Sequence, residues 1–187
     1  MRSPGSASAQ SVDIAPCSLG VLLYRGQGGD TDHNRARRLF QRSASNGNAV
    51  AQAQLASMLQ FGQGGKANLP EARRVYRLSA EQGNADGLVR LALMLHHGKG
   101  GRVDMEEARR LYSLAVDKGS VLAACNLGYM TQNGEGGCLD IYEARRLYTL
   151  AATKGNPIGQ LNLANMYLNG EGGPLDAEEA KRPYTLS

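Results

Sequence analysis

Apolar residues recur along this chain of 187 residues at helical spacing, three to four residues apart. In residues 48–83 a first apolar stripe predicts a helix over residues 49–61, and its members are Ala51, Leu55, Met58 and Leu59. A second stripe predicts another helix that ends at Gly83, and its members are Ala72, Val75, Tyr76, Ser79 and Ala80. Glycine at such an end adopts the left-handed backbone at low cost.

This pair of helices recurs because a Gly-x-Gly-Gly motif returns at a constant interval of 36 residues. Its first glycines are Gly26, Gly62, Gly98, Gly134 and Gly170. A second glycine column follows the second helices and comprises Gly47, Gly83, Gly119 and Gly155. A fixed period of about 20 to 50 residues is typical of stacked repeats. We therefore predict an all-α protein, a right-handed α/α superhelix, or solenoid, of five helix-turn-helix repeats.

The period also predicts the organisation of the chain. Residues 1–11 are expected to form a flexible N-terminal segment, and residues 12–187 the repeat domain. The repeats are expected at 12–47, 48–83, 84–119, 120–155 and, incomplete, at 156–187. Pro183 interrupts the last helix, and no polar capping helix follows. We expect either a fragment of a longer array or self-association through uncapped ends.

Polar residues mark where the helices begin. The first helix of a repeat has N-cap candidates Asn48, Asn84, Ser120 and Asn156. The second helix begins with a capping box, in which a glutamate reaches back to the N-cap N–H. These boxes pair Asn68 with Glu71, Asp104 with Glu107, Asp140 with Glu143 and Asp176 with Glu179, and the first repeat departs with Asp32 and Arg35. A column of small residues, Ala56, Ala92, Gly128 and Ala164, predicts close contact between helices.

These motifs resemble those of the Sel1-like repeat family, which is related to the tetratricopeptide repeats. Residues 124–130, Ala-Cys-Asn-Leu-Gly-Tyr-Met, are similar to the family's A-x-N-L-G-x-x-Y helix, and Gly134-Glu135-Gly136 is similar to its G-x-G turn. The family's usual Val after this turn is glycine here, which is expected to loosen the turn's packing; these glycines are Gly29, Gly65, Gly101, Gly137 and Gly173. The resemblance implies an adaptor that assembles other proteins, and not an enzyme.

One exposed stripe of the first helices is the candidate binding groove for a peptide or a partner helix. Side chains on it recur at i, i+4, i+7 and i+11, and amides among them both donate and accept hydrogen bonds. The candidates are Gln54, Ser57, Phe61, Arg90, Leu93, His97, Asn126, Tyr129, Asn133, Asn162, Asn165 and Asn169. An alternative is that Asn126 and Asn162 bond neighbouring helix backbone instead.

The second helices carry pairs of arginines. An outer basic face of Arg73, Arg74, Arg109, Arg110, Arg145 and Arg146 is the alternative site, for phosphate or nucleic acid. A glutamate lies three residues before the second arginine of each of these pairs. This spacing predicts a simpler role, a surface salt bridge between that glutamate and that arginine. The net charge of only +4 favours this second interpretation, and we expect no nucleic-acid partner.

Other chemistry is not indicated. The glycine turns lack the spacing of a phosphate-binding loop, and His33, His96 and His97 have no ligand-spaced companions, so we expect no metal, cofactor or catalytic residue. We expect no membrane span and no export signal, and three cysteines slightly favour the cytoplasm. A bridge between Cys125 and Cys138 stays open, but free thiols are favoured.

Overall fold

The computed structural model describes the backbone of residues 7–173 and the side chains from Pro16 onwards. These described residues form nine α-helices and no strand, which confirms the all-α prediction. The helices are α1 (Ala7–Arg25), α2 (His33–Ser45), α3 (Ala49–Phe61), α4 (Leu69–Glu81), α5 (Ala85–His96), α6 (Met105–Asp117), α7 (Val121–Asn133), α8 (Ile141–Thr153) and α9 (Pro157–Asn169). We call the odd-numbered helices the A helices and the even-numbered ones the B helices.

The helix boundaries follow the glycine turns. Helix α3 spans the predicted residues 49–61, and Gly62 behind it takes the left-handed conformation with φ of 70°. Helix α1 begins at Ala7, within residues 1–11, which we predicted as the N-terminal segment. The predicted box of Asp176 with Glu179 and the interruption at Pro183 lie outside the described residues.

The predicted N-caps are confirmed. Asn48, for example, accepts a hydrogen bond from the Ala51 N–H at 2.9 Å, and Asn68 accepts one from the Glu71 N–H at 3.1 Å. The second half of the capping box is wrong. The Asn68 N–H donates to the Leu59 carbonyl of the preceding A helix at 2.8 Å, so it has no need of the Glu71 carboxylate, which binds Arg74. The turn therefore fastens each B helix to the A helix before it.

The chain divides into two compact units. Unit 1 extends to Met94 and includes residues 98–102, and its helices are α1 to α4 with most of α5. Its buried core includes Phe40, Met58 and Tyr76. Unit 2 comprises residues 95–97 and the chain from Val103, with helices α6 to α9. Its core includes Tyr148, Leu163 and Met166.

The predicted column of small residues is buried at Ala56, Ala92 and Ala164. In unit 2, Gly128 of α7 lies against α8. At Gly128 an added Cβ would lie 2.9 Å from Cε1 of Tyr148, closer than carbon atoms tolerate. Gly128, in the middle of α7, is therefore needed to leave room for the Tyr148 ring.

Candidate functional site

The predicted stripe residues of unit 1 reach the surface to different degrees. On α3, Phe61 is 62% exposed, and Gln54 and Ser57 are half-buried. On α5, Leu93 is half-buried, and Arg90 Nε donates to Asp86 Oδ1 at 2.7 Å. The charge of Arg90 is therefore already paired within its own helix.

The predicted residues of unit 2 also reach the surface. On α7, Tyr129 is 49% exposed and Leu122 is 45% exposed, with Asn126 and Asn133 beside them. On α9, Ile158, Asn165 and Asn169 are exposed and Asn162 is half-buried. We call these eight residues of α7 and α9 the unit 2 stripe. None of them carries a formal charge.

Hydrogen bonds show how the asparagines of this stripe are held. Asn126 Nδ2 donates to the Leu122 carbonyl at 2.9 Å, and Asn133 Nδ2 donates to the Tyr129 carbonyl at 2.8 Å. Asn162 is half-buried. The alternative that Asn126 bonds helix backbone is therefore confirmed for one N–H of its amide, which bonds its own helix. For Asn162 the backbone contact stays a prediction.

A histidine pair lies beside this stripe. His97 is exposed, and its ring stacks on His96 with centroids 4.7 Å apart. His96 in turn lies 6.4 Å from the Tyr129 ring, and its Nε2 is 2.9 Å from Glu135 Oε2. Among the described residues, no three histidine, cysteine or acidic side chains group as a metal site.

The second arginine of each pair forms the predicted salt bridge. Arg74 binds Glu71 at 2.7 Å, and Arg110 with Glu107 and Arg146 with Glu143 repeat the contact at 2.6 and 2.7 Å. The Glu71 carboxylate accepts two hydrogen bonds from Arg74 and so offsets the positive charge of its guanidinium. This pairing lowers the pKa of the Glu71 carboxyl, since a hydrogen-bonded arginine favours the ionised form.

The first arginine has a different role, which sequence reasoning missed. Arg109 Nη1 donates to the Glu135 carbonyl at 3.3 Å, and its Nη2 donates to the Cys138 carbonyl at 3.0 Å. In unit 1, Arg37 donates to the Gln63 and Lys66 carbonyls, and Arg73 donates to the Arg102 carbonyl. Each of these arginines therefore binds the glycine turn that lies one repeat further along the chain.

This contact corrects the expectation that the last glycine of the turn loosens its packing. A Cβ at Gly137 would lie 2.9 Å from Arg109 Nη1, and one at Gly101 would lie 2.7 Å from Arg73 Nη1. The glycine makes room for the guanidinium, which then bonds the turn's carbonyls. The signal was present in the sequence, because Arg and Gly recur together in each repeat.

Two clefts lie on the B-helix side, where we predicted no groove. The cleft of unit 1 has a volume of about 410 Å³ and that of unit 2 about 420 Å³. They share repeat-equivalent walls: Gln41, Leu55 and Glu71 in unit 1 and Ser113, Leu127 and Glu143 in unit 2. The Glu71–Arg74 ion pair lines the unit 1 cleft, and Glu143, which lines the unit 2 cleft, pairs with Arg146.

The three cysteines are free thiols, as favoured. Cys125 is buried and its Sγ donates to Asn156 Oδ1 at 3.3 Å, whereas Cys138 is exposed in the following turn. A bridge between them is therefore absent, and burial raises the pKa of the Cys125 thiol. In the described part of the chain, no helix has the length and apolar character to span a membrane.

Comparison with known proteins places these features in context. The sequence matches the Sel1 repeat over residues 17–48, 49–84, 85–120, 121–156 and 157–182. A search of curated proteins finds no match.

Solved structures similar to this chain include Sel1 repeat proteins. A Sel1 repeat protein from Oxalobacter formigenes is 29% identical, with a TM-score of 0.89 over 97% of this chain and 72% of that one. A protective antigen of uropathogenic Escherichia coli, described as displaying an SLR fold, is 31% identical with a TM-score of 0.88. The alignment covers 97% of this chain but only 39% of the antigen. Cysteine-rich protein B of Helicobacter pylori is 17% identical with a TM-score of 0.52, covers 65% of this chain and 97% of its own, and shows the fold alone.

Proposed function

Because the chain belongs to the Sel1 repeat family, whose members generally act as protein-interaction scaffolds, we propose that it is a non-enzymatic adaptor that binds a peptide or a partner helix on the exposed stripe of its A helices. Sel1 repeats are a non-catalytic interaction fold, which supports the absence of an activity of its own. The binding residues stay as predicted from the sequence.

The observation that carries the proposal is the contrast between the two helix faces. The B helices carry ion pairs, such as Arg146 with Glu143, and among the described residues they expose four large apolar side chains, Leu69, Leu78, Leu114 and Tyr142. The A helices expose more of them, among them Phe61 in unit 1 and Tyr129 in unit 2. Aromatic side chains that stand partly in water gain most when a partner covers them, and they are typical anchors of protein interfaces.

The basic face supports the alternative function poorly. Arg73, Arg109 and Arg145 donate to turn carbonyls, and Arg74, Arg110 and Arg146 bind glutamates. A phosphate would have to displace these contacts. A salt titration against labelled RNA and DNA tests this point: weak binding at about 0.15 M salt supports the adaptor, and a steep log-log salt slope supports the alternative.

The binding face is tested with a random peptide library displayed on phage and selected on the full chain. Clones are compared on three proteins: the natural chain, a Phe61→Ala/Tyr129→Ala variant, and a Tyr142→Ala control. Tyr142 is 75% exposed on the B helix α8, so its loss removes an exposed tyrosine without touching the stripe. We expect enriched peptides to lose about tenfold or more in affinity for the double variant and to bind the control normally.

Equal binding to all three proteins would contradict the A-helix site. Thermal unfolding of each variant, followed by circular dichroism, verifies that the repeats remain folded. Phe61 is 62% exposed and Tyr129 is 49% exposed, so their truncation should leave the core intact.

Self-association is a further proposal for the partner. Exposed leucines lie at both described extremes of the repeats, Leu19 and Leu22 on α1 and Leu161 and Leu168 on α9. Leu55, the repeat equivalent of Leu19, is by contrast only 8% exposed. Light scattering tests this proposal: growth of the apparent mass with concentration supports pairing between copies, and a monomer at all concentrations contradicts it.

A further inference from the structure

Two leucines of α1 are exposed at positions that the later repeats bury. Leu19 and Leu22 are 40% and 43% exposed, whereas their repeat equivalents on α9, Leu163 and Met166, are buried. Equivalent positions of a stacked repeat make equivalent contacts with the neighbouring repeat. We call the surface formed by Leu19 and Leu22 the open face of α1, because in the described part of the chain it lacks the contact that its equivalents have.

Unit 2 shows what covers the equivalent surface. Leu163 and Met166 of α9 form a cluster with Ala144, Tyr148 and Ala152 of the preceding B helix, α8. These three residues of α8 are spaced four apart, so they lie on one side of that helix. The open face of α1 therefore corresponds to a surface that receives a B helix through alanine, tyrosine and alanine.

The first glycine turn, residues 26–29, is open in the same way. In a later turn the last glycine leaves room for an arginine of the preceding B helix, since a Cβ at Gly101 would lie 2.7 Å from Arg73 Nη1. A Cβ at Gly29 would meet no atom within 4 Å among the described residues. Gly29 does not have positive φ, so its backbone does not require glycine. The room at Gly29 thus fits a guanidinium that the described residues do not supply.

The charge at this turn also favours an arginine. Asp30 follows the first turn and is exposed. The equivalent positions of the next two turns hold Lys66 and Arg102, whose carbonyls accept hydrogen bonds from Arg37 and Arg73. A guanidinium that bonds the Asp30 carbonyl would therefore have a carboxylate on the same residue, where the later turns have a positive charge.

The described B helices of a second copy do not fit this role. The side of α8 that would cover the open face is buried in its own fold, since Ala144, Tyr148 and Ala152 are all buried. The same holds for the equivalent Ala72 and Tyr76 of α4. The helix that completes the open face must therefore come from another protein.

We infer that the open face of α1 and the first glycine turn bind an amphipathic helix of a partner protein that has the B-helix pattern. This pattern is alanine, an aromatic residue and alanine at four-residue intervals, with an arginine directly after the first alanine. The alanines and the aromatic ring cover Leu19 and Leu22, and the arginine lies at Gly29 and donates to carbonyls of the turn. The inference goes beyond the proposed function, because this surface is separate from the exposed stripe of the A helices.

The test uses a synthetic peptide of residues 138–155, which contains α8 and carries the required pattern. A lactam bridge between positions 149 and 153, both exposed on α8, holds the peptide helical, because a free helix of this length is marginal in water. The labelled peptide is titrated with the full chain and followed by fluorescence anisotropy. We expect saturable binding that weakens about tenfold or more for Leu22→Glu, since the new charge would be buried under the peptide.

A second pair of variants tests the position of the arginine. Gly29→Val fills the room that the guanidinium needs, and it should weaken binding of the natural peptide about fivefold. A peptide with Arg145→Ala should bind the natural chain more weakly, and Gly29→Val should then cost little more. Equal effects of Gly29→Val on both peptides would overturn the docking geometry that we infer.

Control variants separate the open face from the stripe. Val50→Glu is the matched charge control, because Val50 is an exposed apolar residue of α3 in the same unit. Neither this variant nor Phe61→Ala/Tyr129→Ala should change the affinity of the helical peptide. Circular dichroism verifies that each variant is folded.

Three results would overturn the inference. Loss of affinity in Phe61→Ala/Tyr129→Ala but not in Leu22→Glu would place the peptide on the stripe and support the proposed function. No binding of the peptide to the natural chain would overturn the inference and leave the proposed function standing. A natural chain that is dimeric by light scattering and monomeric as Leu22→Glu would show that a second copy, and not a partner protein, covers the open face.

Discussion

The Tyr148 hydroxyl donates a hydrogen bond to Gln132 Oε1 at 3.2 Å, and Gln132 Nε2 continues the chain to Glu171 Oε2 at 2.6 Å. The same bond joins Tyr76 to Gln60 in unit 1. In the third repeat the equivalent positions hold Tyr112 and His96, and the buried Tyr112 hydroxyl has no partner among the described residues. A single substitution in the repeat thus removes the tyrosine–glutamine hydrogen bond that the repeats on either side form.

The substitution His96→Gln should stabilise the protein. Glutamine offers Tyr112 the acceptor that Gln132 offers Tyr148, and its amide can donate to Glu135. Satisfying a buried hydroxyl is worth about 1 kcal/mol, so the free energy of unfolding in a urea titration should rise by about that amount. The reverse change in the next repeat, Gln132→His, should lower it. A destabilised His96→Gln protein would show that the His96 contact with Glu135 matters more than the missing bond.

The glycine turn should be intolerant of a side chain at Gly137. Valine there would displace the end of the Arg109 side chain and cost about 1 kcal/mol of stability, mainly through the lost hydrogen bonds to the turn carbonyls. Gly137 does not have positive φ, so backbone strain adds nothing. In an Arg109→Ala background the same valine should cost much less, which a double-mutant cycle measures by thermal unfolding. Equal costs in both backgrounds would refute the proposed crowding between Arg109 and residue 137.

Alkaline pH should unfold the protein through its buried tyrosines. Burial raises the pKa of Tyr76 to about 12 and raises the pKa values of Tyr112 and Tyr148 as well, because a phenolate loses its hydration in the core. In the unfolded chain tyrosine ionises near pH 10, so the unfolded state releases protons first and stability falls as the pH rises from about 10 to 12. Absorbance at a phenolate wavelength should show exposed tyrosines ionising reversibly, and the buried ones only as helical circular dichroism is lost. Ionisation of all tyrosines without loss of helix would contradict this.

Thiol alkylation should distinguish the three cysteines. Cys138 is exposed and should react within the native protein, whereas Cys17 and Cys125 are buried with raised pKa values and should react slowly. Intact-mass measurement without reductant should show one early adduct, and three after denaturation. Only one adduct after denaturation would instead reveal a disulfide.

The crossing of α7 and α8 should be sensitive to side-chain size. Gly128→Ala places a methyl group against the Tyr148 ring and should destabilise the protein by about 1–3 kcal/mol despite the better helix propensity of alanine. Gly119→Ala is a comparison variant in which any loss of stability comes from backbone strain and not from crowding. A Cβ at Gly119 would meet no atom within 4 Å, but the residue has φ of 82°. If Gly128→Ala stabilised the protein, helix propensity would outweigh the contact with Tyr148.

Much of this architecture could be predicted from the residues alone. The glycine columns are local signals, because a helix end with positive φ strongly favours glycine. They predict the bounds of α3 at residues 49–61 correctly. The N-caps Asn48 and Asp104 are local for the same reason, because cap and partner are three residues apart. The salt bridge of Glu143 with Arg146 lies on one helix turn and was equally visible.

Contacts between residues far apart in the chain were decided only by the tertiary structure. Arg109 and Arg110 are neighbours in sequence, yet one binds the Cys138 carbonyl 29 residues away and the other the Glu107 three residues before it. The exposure of Tyr129 and the orientation of the Asn126 amide likewise depend on how side chains compete for space and for backbone carbonyls. Local sequence determined where each helix begins and ends because capping and left-handed glycine act over a few residues. Only packing determined which side chains are buried inside the fold and which stay exposed on the A helices, because burial and long-range hydrogen bonds exist only once the repeats have stacked.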